Sequence, residues 1–530
     1  MASGKLKQEY NNSDKENYDN VDNDNDKPKN TILEEYCDSS TIHGVRYFGE
    51  TYRPKMERIF WFIIFMVSVI WCAKLTWQVV EKWYNHPVII SFEEKSTSIS
   101  AIPFPAVTIC PNNQHRKEIG NFSFMALIDE LFDQEEISNQ TLEDLEYKGY
   151  GELLNTFWTF CSESLYDSLK YKLPNITMIH TPIENILSLY PKFDEIFEAC
   201  YWKENPLKCI DIWRKSITGK GICYTFNHLS YENTLRKETL HDDFLLDSAE
   251  SINITWNPED GYLSIDSNAT KYPRNVLSAG FEVGLTIDLV GLKKDLDSYC
   301  GGVIPGFTMM LSSPDELPNS QGNFVRIPFN QNTLVAIKPN MKSATSSLRN
   351  YSPHKRQCYY SDERNLRFFK VYTQKNCELE CIANYTLNMC NCVSFYLPRT
   401  KNTPVCNVEQ KNCLREAMKE MAIKESFDIN NQCDCLAACN TIYYEMEVSQ
   451  SELVDERNST KTDLFASVTL FFKEDQFWTS KRSELYSMTE VVANIGGVLG
   501  LFMGISVLSV FELIYFIMLH FCRKFKSKKT

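Results

Sequence analysis

Long apolar runs are scarce in this 530-residue chain: only Ile59 to Val80 and Val491 to Cys522 are long enough to cross a bilayer, which takes about 20 residues. No His-Glu-x-x-His, Gly-x-Ser-x-Gly or Walker loop occurs, which excludes the enzyme classes those motifs serve. Histidine is sparse, at 8 residues, and scattered, so His180, His228 and His241 read as surface or packing residues. Positive charge is not in excess; the formal net charge of −14 argues against a nucleic acid partner. There is no internal repeat. The first ~35 residues are polar, rich in Asn, Asp and Lys, with no apolar run near Met1, so a disordered cytoplasmic tail is expected, not a cleaved signal peptide.

What is present points to a two-span membrane protein. Arg46, Arg53, Lys55 and Arg58 precede the first apolar run, and Arg523, Lys524, Lys526, Lys528 and Lys529 follow the second. Basic flanks stay inside, so both termini are expected in the cytoplasm and the middle outside. Cys37, Cys72 and Cys522 fall in the tails or spans, and the other cysteines form an even set between Cys110 and Cys439, as a disulfide framework in an oxidising compartment requires. Asn-x-Ser/Thr sequons at Asn121, Asn139, Asn175, Asn253, Asn268, Asn350, Asn384 and Asn458 lie in the same region. Alternating apolar residues over Phe281–Val290 and Ala466–Phe472 predict strands, and Leu414 to Glu425 a helix. The expected exterior is therefore a large α+β domain with sheet at its centre.

The cysteines crowd between Cys377 and Cys439. Cys377 and Cys381 are one helical turn apart and share a face, and Cys433-Asp-Cys435 lies beyond a helix-forming segment that can bring it back antiparallel. Cys390-Asn-Cys392 and Cys433-Asp-Cys435 could also supply thiolates to zinc. An extracellular setting favours disulfides, and no metal is expected.

The second apolar run is not simply greasy. It carries Gly496, Gly497, Gly500, Gly504, Ser506, Ser509 and Glu512. An ionisable residue such as Glu512 in a membrane helix should face water or protein, whereas Lys74 in the first run can snorkel to the interface. Two readings fit the glycines at every fourth position: a small-residue ridge for close helix packing, or a helix interrupted at Gly504-Ile505-Ser506, freeing carbonyls and a hydroxyl toward a cation. Spacing alone does not choose between them.

Taken in order, the motifs resemble the degenerin and epithelial sodium channel family, with its acid-sensing channels and, most closely, the insect pickpocket proteins. Ser40-Thr-Ile-His43-Gly44 resembles the family's His-Gly gating motif. Phe104-Pro-Ala-Val-Thr-Ile-Cys110 and Gly221-Ile-Cys-Tyr-Thr-Phe-Asn227 resemble two blocks of its external domain, and Cys377 through Cys439 its disulfide-laddered thumb. Asn494 through Glu512 resembles its pore helix, with Gly504, Ile505 and Ser506 at the selectivity tract.

The resemblance implies a homo- or heterotrimeric, sodium-selective, amiloride-sensitive channel of the plasma membrane, gated by an extracellular ligand or a mechanical tether and not by voltage, with sodium as permeant ion and no cofactor. It implies residues 1–57 as cytoplasmic tail, 58–82 as first membrane helix, 83–488 as external domain, 489–522 as second helix and pore, and 523–530 as cytoplasmic tail. His43, Gly44, Ala493 and Asn494 take gating roles, and Glu512 draws cations toward the inner end of the path. Asn494 stands where acid-sensing members carry an acidic residue. The implied disulfides are Cys110 with Cys223, Cys358 with Cys439, Cys377 with Cys435, Cys381 with Cys433, Cys390 with Cys413 and Cys392 with Cys406. Cys161, Cys200, Cys209 and Cys300 remain, with three connectivities open. An ATP-gated two-span trimer would show clustered Lys and Arg near the membrane and lacks the thumb cluster. A non-conducting subunit that works only in heterotrimers with other members is the alternative within the family.

Overall fold

The computed structural model describes residues 32–50, 53–123, 156–157, 161, 182–244, 254–263, 271–297, 300, 304–318, 322–407, 410–423, 433–453 and 463–527. The sequons at Asn139, Asn175, Asn253, Asn268 and Asn458, and His180, lie outside them. The principal helices are α1 (Ile32–Ser39), α2 (Val45–Gly49), α3 (Lys55–Asn85), α4 (Gln374–Cys390), α5 (Lys411–Ile423), α6 (Met488–Met503) and α7 (Val507–Ser527). The strands are β1 (Val88–Phe92), β2 (Thr97–Ser98), β3 (Ala106–Pro111), β4 (Phe197–Trp202), β5 (Asn205–Leu207), β6 (Trp213–Thr218), β7 (Gly221–Phe226), β8 (Trp256–Asn257), β9 (Gly261–Tyr262), β10 (Leu285–Leu292), β11 (Phe307–Ser312), β12 (Phe324–Ile327), β13 (Gln331–Ala344), β14 (Thr441–Glu452), β15 (Asp463–Phe472), β16 (Gln476–Phe477) and β17 (Ser480–Glu484). They fall into two units, residues 1–87 with 485–530, and residues 88–484.

The larger unit is built on two sheets. One has eight strands in the order β1-β17-β13-β15-β10-β4-β5 with β14 added on β13, and the other runs β12-β11-β3-β7-β6. β13 is the hub, antiparallel to β14 and parallel to β15 and β17. Alternation in β10 and β15 places Leu285, Ile287, Leu289, Ala466, Val468 and Leu470 in one core with Phe104, Ile109, Trp202 and Phe226, the pattern of half-buried strands. The strand expected from Phe281 starts only at Leu285. Phe281–Val283 is a 3₁₀ turn entered through left-handed Gly280, and Gly284 lies so close to Leu470 O that a Cβ would be 2.0 Å away.

A second core holds the cysteine-rich helices. Thr373 caps α4 by accepting from Asn376 N at 3.1 Å, and Asn391, left-handed at φ 57°, reverses the chain at its end. The expected helix from Leu414 begins three residues earlier, at Lys411. Cys377, Leu379, Ile382 and Ala383 pack on Tyr359, Phe369 and Tyr372. Eight disulfides hold this unit: the six pairs named above, together with Cys161–Cys300 and Cys200–Cys209. Of the described sequons, Asn350 and Asn384 are exposed and Asn121 is half-buried.

In the smaller unit, α3 is the one single helix long and apolar enough to cross a membrane among the described residues. A broad face of apolar side chains is exposed along it, Ile59, Phe60, Ile63, Val67, Ile70 and Trp71 among them, the surface a lipid solvent would cover. The second apolar run is not one rod. It is α6 and α7, bent by 68° at a break. A capping box starts α6: Ser487 Oγ accepts from Glu490 N at 3.2 Å and Glu490 accepts from Ser487 N at 2.7 Å, which satisfies two donors at the helix start.

Candidate functional site

The break between α6 and α7 is where the chemistry-bearing residues of the smaller unit meet. Gly504 is left-handed, φ 68° and ψ 16°, and its N–H returns to Gly500 O at 3.0 Å, an αL helix end that leaves the last carbonyls without a helical partner. One of them is satisfied from far along the chain: His43 N donates to Met503 O at 2.9 Å. The imidazole of His43 then lies on Gly504, where an added Cβ would stand 2.7 Å from ring atoms Cδ2 and Nε2. Glycine is thus demanded twice at 504, by backbone angle and by space.

Gly44 is also left-handed, at φ 89°, and turns the segment into α2. Here the constraint is the angle: a Cβ would meet Phe65 at an ordinary 3.7 Å. The turn is stiffened nearby. Buried Glu50 pairs with Arg46 at 2.9 Å and also with Arg53, Tyr47 stacks on Trp61 at 4.5 Å, and a Cβ at Gly49 would collide with Cys37 at 2.3 Å. Burial and the nearby Asp38 and Glu34 push the Cys37 thiol up in pKa, so it remains a packing thiol.

Ser506 sits at the N-cap of α7 and Ser509 three residues on. Ser509 N donates to Ser506 Oγ at 3.3 Å, Ser506 N to Ser509 Oγ at 3.2 Å, and the two hydroxyls are 3.2 Å apart, so each serine caps the other. Ser509 is buried, 3% exposed, and its Oγ lies 2.8 Å from Thr41 Oγ1. Thr41 Oγ1 also donates to Glu512 Oε2 at 3.0 Å. Tyr36 reaches the same helix, edge-on to Phe516 at 5.3 Å.

The structure therefore gathers Gly504, Ile505, Ser506, His43 and Gly44 with Glu512. Ala493 and Asn494 lie apart from this cluster, exposed in the second turn of α6. Of the two readings of the glycines, the helix interruption occurs. Along the ridge of Gly496, Gly500 and Gly504, an added Cβ would meet nothing described within 4 Å at Gly496, Ile505 O at 3.9 Å at Gly500 and the His43 ring at Gly504. Sequence reasoning missed Thr41 and the partner role of Ser509; a hydroxyl two residues before His43 was the available signal.

Among its described residues the larger unit offers no competing metal-binding centre. Three buried groups close enough to share a metal are His115, Cys161 and Cys300, but the two sulfurs are joined to each other. His228 is buried and Nε2 bonds Glu316 O at 3.0 Å; His241 Nδ1 lies 3.2 Å from Asp243. Both are packing and hydrogen-bonding residues.

Comparison with known proteins puts this geometry in context. The sequence model of the amiloride-sensitive sodium channel family matches residues 36–516. Pickpocket protein 28 of Drosophila melanogaster is 28% identical, over 94% of this chain and 81% of that relative. Sodium channel protein Nach of the same species is 23% identical over 91% and 86%, and acid-sensing ion channel 1 of Gallus gallus 21% over 94% and 86%.

Proposed function

The chain belongs to the amiloride-sensitive sodium channel family, and we propose on that premise that it is a subunit of a trimeric, sodium-selective, amiloride-sensitive channel of the plasma membrane, opened by an extracellular ligand or by force. It acts as a channel subunit and not as an enzyme. In this reading α3 and the bent α6–α7 pair each cross the membrane, both termini are cytoplasmic, and residues 88–484 stand outside.

The observation that carries the reading is the broken helix at Gly504, held open from the N-terminal segment. Non-helical backbone at membrane depth is tolerated only where protein or a water-filled path receives its polar groups. Three copies of 504–506 around an axis would present carbonyls and the exposed Ser506 to a partly dehydrated cation. Glu512, one and a half turns into α7, adds negative charge along the same path. His43 and Gly44 seat the break from the cytoplasmic side and so bias the open state, while Ala493 and Asn494 lie at the outer end of α6.

Voltage-clamp recording of the chain alone, then with related subunits, tests this. An amiloride-blocked sodium current whose sodium-to-potassium ratio changes in Gly504→Cys and Ser506→Cys is expected. Current only on co-expression would identify the subunit that needs a sister; unchanged ratios in both variants would count against the assignment of the ion path.

A further inference from the structure

Ser506, Ser509, Thr41 and Glu512 form one continuous line of hydrogen bonds, and its direction follows from counting protons. An ionised carboxylate only accepts, and a hydroxyl has one proton to give and two lone pairs. Thr41 gives its proton to Glu512. In the 2.8 Å contact with Ser509 it can then only accept, so Ser509 donates to Thr41. Ser509 has nothing left to give Ser506, so Ser506 donates to Ser509. Ser506 Oγ also accepts from Ser509 N, and its remaining lone pair points to neither partner. A cation binds lone pairs, not O–H groups.

We propose that Thr41 is a positioning residue of the ion path: it transmits the polarity of the Glu512 carboxylate through Ser509 to Ser506, so that Ser506 presents oxygen lone pair and not hydrogen to the permeant cation. The inference rests on the reading of 504–506 as the ion-contacting tract. Burial of Ser509 keeps water from substituting for Thr41 at the middle link, and bonds that end on a charged group are the strong ones. Without Thr41, Ser509 loses the acceptor for its proton and turns it toward Ser506, which frees the Ser506 hydrogen to rotate outward. A segment more than 460 residues distant in sequence thereby takes part in choosing the ion.

Thr41→Val keeps the branched shape and deletes donor and acceptor together; Thr41→Ser restores both. In channels of equal surface amount, the sodium-to-potassium permeability ratio is expected to fall roughly fivefold to tenfold in Thr41→Val, the size of one ordinary lost hydrogen bond, and to return in Thr41→Ser. A parental ratio in Thr41→Val, with ratios altered in Ser506→Ala, would overturn the relay and leave the ion path standing. Parental ratios in Ser506→Ala and Gly504→Cys as well would instead overturn the ion path. A chain that is silent alone is recorded with its partner. In membranes, Thr41→Cys with Ser509→Cys should form an intrachain cross-link on oxidation, found by peptide mass and absent from either single variant. Failure to cross-link removes the contact, and with it the proposal.

Discussion

His43 N donates to Met503 O across 2.9 Å, and the His43 ring occupies the space a side chain at 504 would need. The two residues act as one joint, in which the carbonyl freed by a helix end is taken up by a segment that precedes α3. The joint also explains why α6 and α7 hold a fixed 68° bend when the sequence around it is otherwise helix-forming.

Steric exclusion at this joint predicts a double-mutant outcome. Gly504→Ala meets two penalties, the His43 clash and the left-handed backbone, of which the second is worth about 1 kcal/mol. His43→Ala removes only the first. Gly504→Ala should therefore degrade sodium selectivity strongly in the parent and less on a His43→Ala background. Effects that simply add, within ~0.5 kcal/mol, would sink the contact.

At Ala493 the exposure of the side chain means that a larger residue meets no crowding among the described residues of its own chain. In the proposed channel assembly, a clash would come from a neighbouring chain when the pore narrows. Overpacking costs about 1 to 3 kcal/mol, and if that cost falls on the closed state alone the population shifts toward open. Ala493→Val and Ala493→Phe should reach the surface normally and carry constitutive amiloride-sensitive sodium current. Normal delivery without such current would remove Ala493 from gating.

Acid should act on the larger unit through two buried neighbours of opposite sign. Burial pushes His228 down from 6.5 to about 4, so the unfolded chain takes up a proton first and stability is lost as pH falls from 6.5 to 4. Burial, then the adjacent Glu316, pushes Asp315 up from 3.8 to about 6. There the folded chain protonates first, and stability is gained as pH falls from 6 to 3.8. Each is worth on the order of 3 kcal/mol, so they largely offset. Melting the detergent-solubilised chain across this window should give a flat parent, an acid-labile Asp315→Asn and an acid-strengthened His228→Gln. Parallel curves for all three would refute the assignment.

Much of this architecture was legible because its signals are local or countable. Two apolar runs, an even set of cysteines between them and the alternation in Ala466–Phe472 require no knowledge of distant contacts. Others were not. Cys161–Cys300 and Cys200–Cys209 could not be chosen from three connectivities, because pairing depends on which strands become neighbours. The start of β10 slipped from Phe281 to Leu285 because Gly284 meets a backbone carbonyl from β15, a partner nearly 190 residues away. At Gly44 the structure demands a backbone angle and not room. At Gly504 both apply, and spacing every fourth residue could not distinguish a ridge from a break. Thr41 carried no periodic signal at all; only the fold brings its hydroxyl to α7.

Because the His43 ring fills the place of a missing side chain at residue 504, the two positions cannot drift independently. A lineage that enlarges one must first shrink or move the other, so related subunits should carry compatible pairs, not a free assortment. The same holds for laboratory hybrids. Exchanging residues 36–50 between relatives while keeping the native 499–512 should produce mismatched joints, and exchanging both together should restore the donor's behaviour as a unit.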